Sequence, residues 1–220
     1  MKHLIVEGLG DKAFFEKYCQ YYSYNIDVNV LTPEDINPDY YTTKNGVISS
    51  SLDDLIKQIT LGMIKNLGII IDADHAKDQS GIDKTKTDLS NKLSPHGYTL
   101  IETTEGIIAK HDDGLIDIGI WIMPDNSEDG NIENWIEELV CQSEALLYEK
   151  ARKVVNELKN ENLQKFKPSR IQKAQLATWF AWQKSPGHGL DFFFHAPLID
   201  LNHTKYTAFC NWFKRTFEIT

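Results

Sequence analysis

Cysteine is scarce in this 220-residue chain: Cys19, Cys141 and Cys210 lie far apart and form no Cys-x-x-Cys pair. That excludes a zinc ribbon or a disulfide frame and fits a reduced, cytoplasmic protein. Long apolar runs are missing as well. None approaches the ~20 residues a membrane span requires, so no membrane partner is expected, and the opening Met1–Val6 meets Glu7 too early for the apolar core of a signal peptide. There is no internal repeat and no low-complexity tract. Basic residues are in short supply: 23 Lys and Arg against 32 Asp and Glu leave a formal net charge of -9, which disfavours broad attraction to nucleic acid.

The deficit is uneven. Residues 150–173 hold eight Lys or Arg (among them Lys165, Lys167, Arg170 and Lys173) against Glu157 and Glu161, so this segment is +6 and the rest of the chain −15. Such a segment is either the solvated face of a helix or a phosphate-binding surface beside an acidic centre. With 41% hydrophobic and 25% charged residues the chain is globular and long enough for a substantial core.

The most informative stretch is Leu67-Gly68-Ile69-Ile70-Ile71-Asp72-Ala73-Asp74-His75. A compact β-branched run without alternation reads as a strand covered on both faces, as in a parallel sheet. It ends in two carboxylates spaced i, i+2, which an extended chain puts on one side. Ligands of open α/β sheets bind beyond the carboxyl ends of the strands, and neighbouring carboxylates repel unless a cation or proton lies between them. The pair is therefore either a divalent-metal site, Mg²⁺ above all, or a turn in which Asp serves its own backbone.

Taken in order, Lys2–Val6 reads as a strand, Glu7–Asp11 as a turn and Lys12–Tyr22 as a helix with Asp11 near its start. A second strand is expected at Asp27–Leu31 and a loop over Asn37–Val47. A helix over Ser51–Asn66, with Ser51 its possible cap, leads into the central strand. A weaker helix follows at Asp83–Leu93 and a short strand at Tyr98–Ile101; Thr103–Gly114 shows no clear pattern. Ile116–Met123 is another buried-type strand, closed by Pro124-Asp125-Asn126. From Asn131 the pattern is helical: Asn131–Leu139, Glu144–Lys159, Ser169–Lys184 and Tyr206–Arg215. The fold class is α/β, a mostly parallel sheet flanked by helices (residues 1–142), with a helical C-terminal extension (143–220) packed on it as one unit.

The acids gather at strand ends: Glu7 and Asp11 after the first, Asp72, Asp74 and possibly Asp78 after the central one, Asp125 after the later one. Each has a bland alternative. Asp11 and Glu133 also suit the first turn of a helix, Asp125 suits a turn, and Lys173 suits a surface. Trp179, Phe180 and Trp182 could stack on bases or fill a core. His188, His195 and His203 lack the spacing of a helical metal pair.

Val6-Glu7-Gly8-x-x-Asp11 with a later Asp72-x-Asp74 strand resembles a Toprim domain, the metal-binding α/β module of topoisomerases, primases, ribonuclease M5-like enzymes and overcoming-lysogenization-defect nucleases. Trp121-Ile122-Met123-Pro124-Asp125-Asn126 with Gly130 and Glu133, and Lys173-Ala174 before Trp179-x-Ala181-Trp182-Gln183-x-x-Pro186-Gly187, resemble a Toprim-like family of small stand-alone proteins, the domain-of-unknown-function family numbered 3226. The resemblance implies Glu7 as ligand or general acid/base and Asp72 and Asp74 as ligands of Mg²⁺ or Mn²⁺. It implies Asp11 as an added ligand and an acid pair for a second ion, for which Asp125 and Glu133 are the candidates; Lys173, on its own chemistry, is a candidate to reach a scissile phosphate. The implied activity is metal-dependent hydrolysis of DNA or RNA. The alternatives are a non-catalytic metal-dependent binding module and a nucleotide-sugar transferase that uses the Asp-x-Asp pair. No nucleophilic tyrosine domain, primase zinc module or ATPase accompanies the pattern.

Overall fold

The computed structural model describes residues 1–30, 52–76, 79–194 and 197–219. Ser51, Asp78, His195 and the expected 37–47 loop lie outside them. Among the described residues the chain is a mixed α/β protein, with a six-stranded, mostly parallel sheet and seven α-helices. The strands are β1 (Lys2–Val6), β2 (Asp27–Val30), β3 (Asn66–Asp72), β4 (Tyr98–Thr103), β5 (Gly106–His111) and β6 (Ile118–Met123). The helices are α1 (Leu9–Tyr21), α2 (Leu52–Thr60), α3 (Ile82–Leu93), α4 (Ile132–Leu139), α5 (Ala145–Asn160), α6 (Ile171–Ala181) and α7 (Thr204–Thr216). No helix among the described residues is long and apolar enough to cross a membrane.

The strand order is β2-β1-β3-β6-β5-β4. β2, β1, β3 and β6 pair in parallel, whereas β5 runs against both β6 and β4. From β1 the chain steps to β2 on one side and then crosses to β3 on the other. The crevice between the ends of β1 and β3 is thus the switch point at which open α/β sheets bind ligands.

Side chains alternate between two cores. Leu4, Val6, Ile70, Trp121 and Met123 point into an aromatic layer with Phe14, Phe15 and Tyr18 of α1 and Phe209, Trp212 and Phe213 of α7. Ile5, Leu67, Ile69, Ile71, Ile120 and Ile122 point into an aliphatic layer with α2 and α3. The aromatic layer continues without a break to Trp179, Phe180 and Phe193, across the boundary at residue 142. Trp179 and Phe180 are therefore core residues, and only Trp182 of that trio is exposed.

One close approach fixes α7 on the sheet. Gly68 and Gly119 are register partners on β3 and β6. A Cβ on Gly119 would lie 2.1 Å from Thr216 Oγ1, and one on Gly68 would lie 2.7 Å from Phe217 Cζ. Two glycines side by side leave a notch that receives the end of α7.

Some boundaries differ from the sequence reading. α2 ends at Thr60 and not near Asn66, because Gly62 (φ +70°) closes it: Gly62 N donates to Ile59 O and Met63 N to Gln58 O. The unassigned 103–114 stretch contains β5, joined to β4 by a tight turn that Thr103 Oγ1 ties to Glu105 N and Gly106 O. Neither an Asn-Gly nor an Asp-Gly dipeptide marks that hairpin, and Ile107-Ile108-Ala109 lacks the alternation of a half-exposed strand.

Candidate functional site

A cleft of about 450 Å³ opens at the carboxyl ends of β1 and β3. Its walls bring together Glu7, Asp11, Asp72 and Asp74 from one side and Ser169, Arg170 and Lys173 from the other, with Gly8, His75, Ser80 and Asn131 between them.

Each acid is placed by its local fold. Glu7 follows β1 directly, and its Oε2 accepts from Asp72 N at 3.1 Å, which ties the two strand ends together. Asp11 is the third residue of α1 and accepts from Gly8 N at 2.9 Å. It thus has the helix-start role that was its bland alternative, and it lines the cleft as well. Asp72 ends β3, and its Oδ1 accepts from Ile132 N at 3.1 Å, an otherwise unpaired amide in the first turn of α4. Asp74 is not in extended conformation: its φ is +60°, and its backbone exchanges hydrogen bonds of 2.7 and 2.8 Å with Gly130. The i, i+2 spacing therefore brings both carboxylates to the cleft through a left-handed turn rather than through strand pleat.

Glu133, second residue of α4, lies beneath the wall. Its side chain is 4% exposed, Oε1 is 3.1 Å from Lys173 Nζ, and Oε2 is buried with no hydrogen-bond partner. Asn131 caps this helix by accepting from Asn134 N.

Five carboxylates thus crowd a space that Lys173 and Arg170 only partly neutralise. Burial pushes the Asp11 carboxyl up from 3.8 to about 6, and nearby Glu133 adds to the rise, against the opposing pull of Lys173 and the Gly8 amide. Asp72 is held well above the usual carboxylate range, by burial first and then by Glu7, Asp11, Glu133 and Asp74. Burial works against the Lys173 charge, yet Glu133, Asp72 and Asp11 outweigh it and hold the ammonium above its ordinary value.

The other expected residues lie elsewhere. Asp125 is not on the cleft wall. Its Oδ1 accepts from Ser127 N, Ser127 Oγ and Glu128 N, and its Oδ2 pairs with Lys205 Nζ at 2.7 Å. Lys205 also pairs with Glu138 at 2.7 Å and Glu128 at 3.1 Å. His203 caps α7 by accepting from Lys205 N, and His188 stacks on Phe192. Of the basic segment, Arg170 and Lys173 reach the cleft, whereas Lys165 and Lys167 do not line it.

Sequence reasoning passed over Asp129. It accepts from Ala76 N and Ile82 N, both at 2.9 Å, and so clamps the loop that carries Asp74, His75 and Ser80. Its one visible signal was its place before Gly130. His75 adjoins the acidic pair, yet it carries no spacing that would have singled it out.

The carboxylates offer hard oxygens, and Glu133 Oε2 is a buried acceptor without a donor, a chemistry that fits a divalent cation such as Mg²⁺. As the side chains stand, no group of three or more His, Cys, Asp or Glu among the described residues is arranged to hold an ion. Glu7, Asp11 and Asp72 accept from backbone amides, and Glu133 pairs with Lys173 instead.

The fold and cleft define a mixed α/β protein with an acidic pocket at the switch point of a largely parallel sheet. The chain belongs to the family described as protein of unknown function (DUF3226), whose model matches residues 1–218. No curated protein and no solved structure matches it significantly.

Proposed function

We propose that the chain is a Toprim-like, divalent-metal-dependent protein that acts on nucleic acid in the cytoplasm, with phosphodiester hydrolysis as its reaction. The observation that carries this reading is the meeting of Glu7 and Asp72 at the ends of adjacent parallel strands, with Asp11 and Asp74 on the same cleft wall. The Toprim resemblance of Glu7-Gly8-x-x-Asp11 and Asp72-x-Asp74 supports it.

In this reading Glu7, Asp72 and Asp74 hold Mg²⁺ or Mn²⁺, with Asp11 beside them. Of the two acids expected to serve a second ion, Glu133 adjoins the cluster, while Asp125 is committed to Lys205. A metal held there would supply activation of water and neutralisation of charge on the leaving oxygen. The chain's own residues do the rest. The Ile132 amide keeps one Asp72 oxygen oriented, Asp129 holds the loop that carries Asp74, and Arg170 presents a cation to a phosphate in the cleft that Lys173 also lines. The Toprim resemblance gives Glu7 an alternative role to metal ligand, that of general acid or base.

A metal-dependent binding module is the second reading, favoured by one observation: Lys173 is engaged by Glu133 and not aimed freely at the cleft. A nucleotide-sugar transferase would leave Glu7 and Asp11, both on the wall, without a role.

The test is paired cleavage and binding on single- and double-stranded DNA and RNA with Mg²⁺ or Mn²⁺. Glu7→Gln and Asp74→Asn should abolish cleavage and leave binding similar or tighter through lost repulsion. Binding without cleavage by the wild type selects the module reading, and neither activity removes the support for action on nucleic acid.

A further inference from the structure

Glu133 is buried under the cleft wall with one oxygen on Lys173 and the other without a donor. A buried carboxylate that uses half of its acceptor capacity is costly, and removal of its one cation would leave an uncompensated charge. Lys173 comes from a different helix, is 49% exposed, and lines the cleft beside Ser169 and Arg170. It therefore stands between Glu133 and the open space: it covers the acid from above and faces solvent with its other flank. A lysine suits this position because its ammonium is a compact charge on a flexible four-carbon stem.

We propose that Lys173 is an exchangeable counter-ion, which holds Glu133 in the metal-free protein and releases it when a divalent cation enters the cleft. The proposal rests on the metal-site reading of this cleft. The cation satisfies both Glu133 oxygens where the ammonium satisfies one, and the freed ammonium moves to the mouth beside Arg170. Metal binding thereby adds a positive charge to the side of the cleft that faces an anion. By linkage, an anion that holds Lys173 at the mouth tightens the metal by the same factor.

The experiment titrates Mn²⁺ calorimetrically into the wild type, Lys173→Met, Arg170→Met, Glu133→Gln and the Lys173→Met/Glu133→Gln double variant. Lys173→Met should tighten Mn²⁺ about five- to tenfold, a coupling of the size found between directly contacting groups. Arg170→Met, which removes an equal charge that is not bonded to Glu133, should change it less than about twofold. In the Glu133→Gln background Lys173→Met should change the affinity less than about twofold, as Arg170→Met does. An affinity for Lys173→Met within about twofold of wild type, or equal tightening with and without Glu133, overturns the exchange and leaves the metal reading intact. Absence of Mn²⁺ binding in every variant overturns the metal reading and the exchange with it. Thermal melts in chelator give a second readout that needs no metal. Lys173→Met should melt below wild type and the double variant should recover; a Lys173→Met melt equal to wild type shows that Lys173 is not the counter-ion of Glu133.

Discussion

Asp11→Asn should stabilise the metal-free protein at neutral pH, although it removes a charged residue from the start of a helix. The Asp11 carboxyl rises from 3.8 to about 6 through burial and the proximity of Glu133. At ~1.4 kcal/mol per pH unit, that rise makes its ionised form cost ~3 kcal/mol of folding free energy above pH 6. The sign follows from proton uptake. Between pH 3.8 and 6 the folded state binds more protons at this site than the unfolded state does, so the site's penalty is absent below pH 3.8, grows through that window and is complete above it. Asn removes the charge and keeps an oxygen that can accept from Gly8 N. Some helix-dipole stabilisation is lost, of order 0.3–1 kcal/mol, which leaves a net gain of ~2 kcal/mol at pH 7.5. The assay is urea unfolding of wild type and Asp11→Asn in chelator at pH 7.5 and pH 4. The expected result is a higher midpoint for the variant at pH 7.5 and no advantage at pH 4. A variant less stable at pH 7.5, or an advantage independent of pH, would refute the view that burial beside Glu133 makes the ionised Asp11 costly.

Other outcomes follow from the same geometry. Millimolar Mg²⁺ should raise the thermal midpoint of the wild type, worth ~2.7 kcal/mol at a hundredfold excess over Kd. Asp72→Asn should lose most of that gain in the same melt, because it removes a ligand while its amide oxygen still accepts from Ile132 N. Gly119→Ala should destabilise by ~1–3 kcal/mol in urea unfolding, since its Cβ would lie 2.1 Å from Thr216 Oγ1 and force α7 off β6. Arg170→Ala should shallow the salt dependence of nucleic-acid binding by about one phosphate contact, whereas Lys165→Ala and Lys167→Ala, off the cleft wall, should not.

Much of the frame is readable from residue pattern alone. Leu4–Val6 and Ile69–Ile71 are short apolar, mainly β-branched runs that suit a doubly covered strand, and Glu7 and Asp72 follow from where those strands stop. Glycine already marked the end of α2 at Gly62, but the apolar spacing of Leu52, Leu55, Ile56, Ile59 and Met63 drew the expected helix past it. What stayed hidden depends on contacts between segments far apart in sequence. The left-handed turn at Asp74 is imposed by its pairing with Gly130, and the Asp129 clamp spans 47 to 53 residues. Likewise no local pattern tells that Lys173 meets Glu133, or that Lys205 draws Asp125 away. The glycine notch at Gly68 and Gly119 becomes visible once β3 and β6 are known to be neighbours.

The central claim is that the acids at the ends of β1 and β3 form a cation site. A crystal soaked in Mn²⁺ and measured at an energy where manganese scatters anomalously tests it most directly. The account predicts an anomalous peak within coordination distance of Glu7, Asp72 and Asp74, with Glu133 turned toward it and Lys173 displaced toward Arg170. A map with no peak in this cleft, or with its peak among Asp125, Glu128 and Glu138 instead, would contradict it.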